Sequence, residues 1–396
     1  MKKIITLILA VVLVLGVFAG CGTSSNNGES LKVGFIYLHD ENSTYDLNFI
    51  EAAKAACDKL GVEYVAKTNI KESNECYEAA VDLADRGCDI VFGDSFGFEQ
   101  YMAQAAAEYP DVEFCHATGT TAHTSDLKNL HNAFASIYEG RYLAGVAAGM
   151  KLNEMIANGE FTADEAKIGY VGAYTYAEVI SGYTSFFLGA RSVCPTATME
   201  VQFTGSWYSE TDEKEAATTL INRGCKLISQ HADSMGAPTA CENANVPNVS
   251  YNGSTVQACP NTFIVSSRID WTPYFEYIIN CVKDGKEIDD DWVGTISTGS
   301  VVLTDVNEKA AAAGTKEAIE EVKKQFEAGT LHVFNTDTFT VGGEKLTSYM
   351  ADVDTDANYT PDTEVISDGY FHESEYRSAP YFDLRIDGIT TLNEEY

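Results

Sequence analysis

The stretch CDIVFGDSFGFEQYMAQAAAEYPDVEFCHA, residues 88–117, contains one complete unit of the predicted fold. Its apolar start, CDIVFG, predicts a buried strand, Phe98 to Tyr109 predicts a helix, and VEFCHA predicts a second strand. Two successive strands joined through a helix pair in parallel, because the helix carries the chain back across the sheet. The stretch therefore predicts an α/β fold.

The same alternation continues on both sides of this unit. Before it, strands are expected in KVGFIYL and VEYVA, and helices over 45–60 and 73–86. After it, a second series has strands in AKIGYVGAY, TMEVQF, CKLISQ and VPNVSY, and helices over about 138–158, 177–191, 211–223 and 236–244. Two such series predict two doubly wound lobes with parallel sheets.

The rest of the chain divides around these lobes. We expect TFIVSSR and a helix over 272–284 to return to the first lobe, so that three crossing strands form a hinge. The predicted N-terminal lobe comprises 31–134 and about 262–295, and the C-terminal lobe comprises 135–261 and about 296–332. The polar, turn-rich segment 333–396 is predicted to be an extension on the second lobe.

The N-terminus has the pattern of an export signal. Two lysines precede an apolar run from Ile4 to Phe18, which is shorter than the ~20 residues of a membrane-spanning helix. Small residues and Cys21 follow, and this junction resembles the lipobox of bacterial lipoproteins. We expect a signal peptide over 1–20, lipidation at Cys21 and a flexible tether over 21–30, which places the protein on the extracytoplasmic face of the cell membrane. The alternative is an ordinary signal peptide with an incidental cysteine.

Composition excludes several classes of partner and site. The formal net charge of −33 opposes binding to nucleic acid or to anionic lipid headgroups, so attachment to the membrane is expected through the lipid alone. None of the ten cysteines belongs to a C-x-x-C pair, which argues against a metal site and favours buried free thiols. We expect no metal, no cofactor and a monomer.

Ligands of open α/β sheets bind beyond the carboxyl ends of the strands, so two facing lobes predict a cleft between them. The strand ends fall at 38–45, 93–98, 118–121, 173–178, 204–208, 231–236 and 251–254. The candidate ligand-binding residues are His39, Tyr45, Asp94, Ser95, Phe96, Trp207, Asp233, Ser234, Asn252, Arg268 and Asp270.

Two aromatic side chains follow strand ends in opposite lobes, Tyr45 in the first and Trp207 in the second. Together they suggest a clamp for a flat ligand, since stacking on one aromatic ring contributes ~1–3 kcal/mol. Micromolar affinity needs about 8 kcal/mol, so hydrogen bonds from buried polar groups must supply the remainder.

Gly93-Asp94-Ser95-Phe96-Gly97 matches the G-x-S-x-G pattern of a nucleophile elbow, between a strand and a helix. A secreted serine hydrolase using Ser95 is therefore an alternative, with His372 as its only well-placed histidine. The chain lacks an upstream His-Gly-Gly oxyanion segment, so we favour a binding protein and not an enzyme. In that case Asp94 and Ser95 offer polar contacts to a ligand.

Six segments together resemble the basic membrane protein (BMP) family of lipoproteins, the substrate-binding components of ABC transporters that include nucleoside- and purine-binding members. They are YPDVEF, GRYLAGVAAG, KIGYVGAY, FTGSW, INRGCKLISQHADS and SRIDWTPYF, between residues 109 and 275. The resemblance implies a type I periplasmic-binding-protein fold, ABC permease subunits as partners, and capture of a purine base or nucleoside by lobe closure without chemistry. A sensor subunit that binds the same ligand is the other alternative.

The resemblance also assigns roles by position. Tyr45 and Trp207 match the aromatic residues that stack on the base. Asn252 matches an Asp that holds ribose hydroxyls in nucleoside binders, and Arg268 falls near a Lys with a similar role. QHADS, at 230–234, looks closer to members that bind free bases, so base and nucleoside both remain open.

Overall fold

The computed structural model describes residues 31–354, 358 and 360–394. The predicted signal peptide, the lipidation site Cys21 and the tether lie outside the described residues. Two sheets with helices on their faces form two lobes, as predicted, and the architecture is that of a type I periplasmic binding protein.

The first lobe contains a sheet of six parallel strands in the order β11-β5-β4-β3-β1-β2. The strands are β1 (Lys32–Ile36), β2 (Glu63–Lys67), β3 (Ile90–Gly93), β4 (Glu113–Ala117), β5 (Leu130–Ala135) and β11 (Asp291–Gly294). Its helices are α1 (Thr44–Leu60), α2 (Asn74–Asp85), α3 (Glu99–Glu108) and α8 (Thr272–Asp284).

The second lobe contains a sheet of seven strands in the order β12-β10-β9-β8-β6-β7-β17, in which β12 is antiparallel to β10. The strands are β6 (Lys167–Gly172), β7 (Thr198–Phe203), β8 (Leu227–His231), β9 (Asn248–Tyr251), β10 (Phe263–Ile269), β12 (Val301–Leu303) and β17 (Ile389–Thr391). The helices are α4 (Ile137–Ala157), α5 (Ala177–Val193), α6 (Glu210–Asn222), α7 (Gly236–Ala244) and α9 (Thr315–Glu327). The helices that the sequence predicts begin and end within two residues of these bounds.

Three segments cross between the lobes and form the hinge. They follow β5, β10 and β11, and they lie side by side through main-chain hydrogen bonds. The Ser136 N–H donates to the Gly294 carbonyl at 2.7 Å, and the Asp270 N–H donates to the Ser300 carbonyl at 2.7 Å. The predicted three-strand hinge is confirmed.

Strands β10 and β5 are among those that differ from the sequence analysis. The sequence analysis assigns residues 262–269 to the first lobe, but β10 pairs with β9 in the second sheet. The chain therefore returns to the first lobe only after residue 269. Strand β5 was not predicted, because buried polar residues interrupt its apolar pattern. His131 meets Glu113 Oε2 at 2.8 Å, and Asn132 is fully buried.

The C-terminal extension contacts both lobes, whereas the sequence placed it on the second alone. Strand β17 pairs with β7 in parallel, and the Asn393 side chain bonds the main chain of Phe203 at 2.8 and 2.9 Å. In the first lobe, the Ser378 N–H donates to Asp291 Oδ2 at 2.6 Å. Four further two-residue strands, β13 to β16, occur in this extension, at Met350–Ala351, Thr363–Glu364, Ile366–Ser367 and Tyr370–Phe371.

Helices α4 and α5 pack backbone to backbone, which fixes the start of α5 at the cleft. A Cβ atom on Gly145 would lie 2.0 Å from the Phe186 carbonyl oxygen, and one on Gly189 would lie 2.1 Å from that of Tyr142. Only glycine permits this approach, so these two positions set how closely the helices pack.

The nine cysteines within the described ranges are all buried and free, as predicted. Burial raises the pKa of most of these thiols, for example that of Cys115 to about 12, so they remain protonated and behave as small apolar groups. None of the helices in the described part of the chain is long and apolar enough to span a membrane.

Candidate ligand-binding site

A cavity lies between the lobes, at the carboxyl ends of the parallel strands. The lining residues come from both lobes: Leu38, His39, Tyr45, Ser95, Phe96 and Thr118 from the first, and Glu178, Trp207, His231, Asp233 and Tyr251 from the second.

The first-lobe wall is mainly aromatic and apolar. The Tyr45 hydroxyl donates to the Asp94 carbonyl at 2.8 Å, and its ring packs edge-on against Phe49 at 4.9 Å. Tyr45 lies in the first turn of α1, which the Ser43 side chain caps by accepting from the Asp46 N–H. The hydroxyl bond to Asp94 and the ring contact with Phe49 fix the ring of Tyr45 in the cavity wall.

The second-lobe wall carries Trp207 in the loop after β7. Its ring packs edge-on against Tyr174 at 5.0 Å, and its carbonyl accepts from the Asp233 N–H at 3.0 Å. The structure therefore places the two predicted aromatic residues, Tyr45 and Trp207, on facing walls of one cavity.

Four polar side chains of the second lobe line the same cavity. Glu178 lies in the first turn of α5, His231 ends β8, and Tyr251 ends β9. Asp233 lies in the loop after β8. His231 Nε2 lies 3.3 Å from Glu178 Oε1, and burial lowers the pKa of His231. A neutral ring beside a carboxylate donates from Nε2, since the carboxylate only accepts. The His231 and Tyr251 rings lie 4.5 Å apart.

Asp233 is buried at the edge of this group. Its Oδ1 accepts from Asn252 Nδ2 at 3.1 Å. Burial, followed by the negative charge of Asp46, raises the pKa of Asp233 well above its ordinary value. Asn252 has a positive φ of 66°, a conformation that asparagine tolerates better than most residues. Asn252 thus positions Asp233 and does not itself line the cavity.

Direct contacts hold the two lobes closed around the cavity. The Thr44 N–H donates to the Asp233 carbonyl at 3.1 Å, and Arg268 Nη1 donates to Asn48 Oδ1 at 3.3 Å. At the cavity mouth, Phe96 is 40% exposed and lies 5.2 Å from Tyr176 of the second lobe. The described conformation is therefore the closed form.

Ser95 lines the cavity but lacks the partners of a nucleophile. Its Oγ donates to Glu72 Oε1 at 2.6 Å. His116 bonds the main-chain carbonyl of Ser95 and not its hydroxyl, with 2.6 Å between His116 Nε2 and the carbonyl oxygen. His372, the histidine required by the hydrolase alternative, bonds Ser367 and Glu375 in the C-terminal extension. The hydrolase hypothesis is wrong, because no described histidine reaches the Ser95 hydroxyl.

Besides Asn252, four predicted residues do not line the cavity. Asp94 is fully buried and accepts from the Leu38 N–H at 3.0 Å. Ser234 accepts from the Gly236 N–H at 3.1 Å, and Arg268 lies between the lobes on Asn48. Asp270 accepts from the N–H of Thr272, the first residue of α8, at 2.9 Å and so lies at the hinge.

The sequence analysis did not name five residues of the cavity, namely Leu38, Thr118, Glu178, His231 and Tyr251. Each falls within one of the strand-end ranges that the fold predicted. The fold therefore predicts where these five residues lie. Their residue types do not distinguish them from neighbouring residues as ligand-binding side chains.

Within the described ranges, no group of three or more His, Cys, Asp or Glu side chains is arranged to hold a metal ion. The polar atoms of the cavity are oxygen and nitrogen donors and acceptors suited to hydrogen bonding. The site can therefore bind and orient an organic ligand, and its walls favour a flat one.

Comparisons with known proteins identify the family of the chain. The family model Bmp, described as ABC transporter substrate-binding protein, PnrA-like, matches residues 36–330. A purine-binding protein of Brucella abortus is 32% identical over 67% of this chain and 72% of its own length. A Haloferax volcanii protein with the provisional name of an ABC transporter glucose-binding protein is 30% identical over 79% of this chain and 75% of its own.

The fold has solved counterparts as well. An ABC transporter solute-binding protein from Conexibacter woesei superposes with a TM-score of 0.63 at 20% identity, over 76% of this chain and 98% of that one. At this level of identity the likeness concerns the fold alone.

Proposed function

Because the chain belongs to the Bmp family of ABC transporter substrate-binding proteins, we propose that it captures a purine base or nucleoside for an ABC importer. Proteins of this family bind their substrate outside the cytoplasm and are not enzymes. The ligand would be trapped between the lobes and released unchanged to the permease subunits.

One observation carries the ligand proposal, namely that aromatic rings from both lobes line a single closed cavity. Tyr45 and Phe96 stand on the first-lobe side, and Trp207 and Tyr251 stand on the second. A planar heterocycle gains stacking energy on both of its faces in such a site, ~1–3 kcal/mol for each ring. The name of the Brucella relative supports a purine, while that of the Haloferax relative makes glucose the alternative to be tested.

The hinge supplies the mechanism of capture. Contacts such as Thr44 to Asp233 and Arg268 to Asn48 join the lobes across the cleft. They are made only when the lobes are closed, and a ligand that touches both walls adds to them. Binding therefore shifts an open–closed equilibrium toward the closed form, whose surface the permease would recognise.

We also propose that the protein is held at the cell membrane by a lipid on Cys21. The apolar run and small residues before this cysteine support the assignment. A Cys21→Ala variant expressed in a bacterial host should move from the membrane fraction to the soluble exported fraction. Equal membrane association of both forms would remove the anchor from the proposal.

Calorimetry on the soluble lobes, residues 31–396, tests the ligand class. The panel contains adenine, hypoxanthine, their nucleosides, uracil, glucose and an amino acid. We expect binding of a purine base or purine nucleoside and no heat from glucose. Binding of glucose alone would overturn the purine proposal and leave the fold and the transporter family intact.

Trp207→Ala tests the aromatic clamp. Loss of one stacking ring should lower affinity by ~1–3 kcal/mol, which is roughly 5- to 150-fold. The matched control is Trp292→Ala, because Trp292 lies on β11 away from the cavity. Equal effects of the two substitutions would show that Trp207 does not contact the ligand.

A further inference from the structure

The second-lobe side of the cavity presents a hydrogen-bond donor next to an acceptor. Tyr251 is 1% exposed and lines the cavity, and its hydroxyl has no hydrogen-bond partner among the described residues. A buried hydroxyl without a partner is costly, so a group at this position usually serves a ligand or an ordered water.

A buried arginine lies behind Tyr251. Arg141 is fully buried, and its Cζ lies 4.6 Å from the centre of the Tyr251 ring. Its Nη2 donates to the Gln230 carbonyl at 3.3 Å and to the Tyr170 hydroxyl, and no described carboxylate lies within ion-pair distance. The positive charge is attracted to the ring face and holds the Tyr251 ring in the cavity wall. The Tyr251 hydroxyl is therefore held where it can donate a hydrogen bond to a ligand oxygen.

The acceptor stands on the other side of His231. Tyr251 packs on the His231 ring, and Glu178 Oε1 accepts from His231 Nε2 at 3.3 Å. A carboxylate has about four lone-pair sites, so one bond to His231 leaves Glu178 able to accept further hydrogen bonds from the cavity. His231 therefore separates a donor, Tyr251, from an acceptor, Glu178, in one wall.

We propose, on the basis of the function proposed above, that the ligand is a 6-oxopurine whose carbonyl oxygen accepts from Tyr251 while its neighbouring ring N–H donates to Glu178. Hypoxanthine and guanine carry this carbonyl and N–H side by side. Adenine carries the reverse arrangement, an amino group beside an unprotonated ring nitrogen. In the same orientation it would place a nitrogen lone pair against the Glu178 carboxylate, which has no hydrogen to donate.

Calorimetry with hypoxanthine and adenine tests this assignment. We expect wild-type protein to bind hypoxanthine at least about tenfold more tightly than adenine. Tyr251→Phe should weaken hypoxanthine binding about tenfold and change adenine binding less than threefold. Glu178→Gln should likewise reduce the ratio of the affinity for hypoxanthine to that for adenine. The control is Tyr183→Phe, since Tyr183 has a buried hydroxyl without a described partner in the same lobe but does not line the cavity.

The outcomes separate this inference from the proposed function. Purine binding with equal affinity for both bases, or an equal loss for both bases in Tyr251→Phe, would overturn the 6-oxopurine assignment alone. Failure of both bases and their nucleosides to bind would overturn the purine proposal and this inference together. Melting curves of each variant without ligand show that the protein tested is folded.

Discussion

Asp94 and Asp233 occupy corresponding places in the two lobes and have different tasks. Asp94 follows β3 and Asp233 follows β8, and each of these strands lies next to the first strand of its own series. Burial raises the pKa of both carboxyls well above the ordinary value. Only Asp233 lines the cavity.

The surroundings of each carboxyl explain the difference. Beside Asp94, the Leu38 N–H donates to Oδ1, and Asp46 is the charged neighbour that adds most to the raised pKa. Beside Asp233, the Asn252 amide donates to Oδ1, Asp46 is again the charged neighbour that adds most to the raised pKa, and the side chain lines the cavity. The same residue type at the same strand end therefore supports the fold in one lobe and the site in the other.

The largest expected effect is on stability, from Asp94→Ala. The substitution leaves the partly buried Leu38 N–H without its acceptor, so the free energy of unfolding should fall by about 1–3 kcal/mol. Urea denaturation measures the change. Asp94→Asn is the matched variant and should lose less, since its amide oxygen can still accept. A stable Asp94→Ala protein that no longer binds ligand would reverse the roles of the two aspartates.

Asp233→Ala should change binding more than folding. Loss of a polar group in the cavity wall should weaken the affinity for the purine that binds best by about tenfold, or ~1.4 kcal/mol. The melting temperature without ligand should fall only modestly, because Asn252 Nδ2 loses its acceptor while the desolvation cost of the Asp233 carboxyl is removed. Calorimetry and thermal unfolding on the same sample measure both quantities. A large fall in melting temperature with unchanged affinity would make Asp233 a structural residue like Asp94.

A pH effect is expected from Glu213, which supports the loop of Asp233. Its carboxylate accepts from the Ser209 and Ser234 N–H groups, and burial raises its pKa from 4.5 to about 7. The folded state then binds the proton more tightly than the unfolded state, so protonation of Glu213 stabilises the fold. This stabilisation is complete below about pH 4.5 and is lost as pH rises to about 7. Across that window the free energy of unfolding falls by at most ~1.4 kcal/mol for each pH unit.

Glu213→Gln tests that slope. The unfolding free energy of wild type should decline more steeply between pH 5 and 7 than that of the variant, measured by urea denaturation in matched buffers. The difference between the two slopes isolates Glu213 from other buried acids. Parallel curves would show that Glu213 does not take up this proton on folding.

The smallest effect is expected from Tyr45→Phe, which removes one link between Tyr45 and the Asp94 loop. The hydroxyl bond to the Asp94 carbonyl is 2.8 Å long, and its loss should lower the free energy of unfolding by ~0.5–1.5 kcal/mol. Chemical denaturation measures the loss. In the double variant with Asp94→Ala the two losses should not add, because both changes loosen the same loop.

The fold was predictable because its signals are local and regular. Alternating apolar strands and amphipathic helices predict parallel sheets, and the carboxyl ends of parallel strands meet at one edge. For this reason every residue of the cavity lies in a strand-end range that the sequence identified, including Glu178 and Tyr251.

The choice of side chains within those ranges was not predictable. It depends on which polar partners surround a residue after folding, as Ser95 with Glu72 and Arg268 with Asn48 illustrate. The pairing of strands from distant segments was not predictable from the sequence either. The assignment of β10 to the second sheet requires its register with β9, which its own residues do not encode locally.

Strand β17 has a consequence for solubility. Without it, β7 would be the outermost strand of the second sheet and would expose a row of main-chain N–H and C=O groups. Such an edge can template pairing with another chain, and covering it is one way that proteins avoid aggregation. Here the last residues of the described chain shield that edge, and only a three-residue strand, Ile389–Thr391, then faces outward.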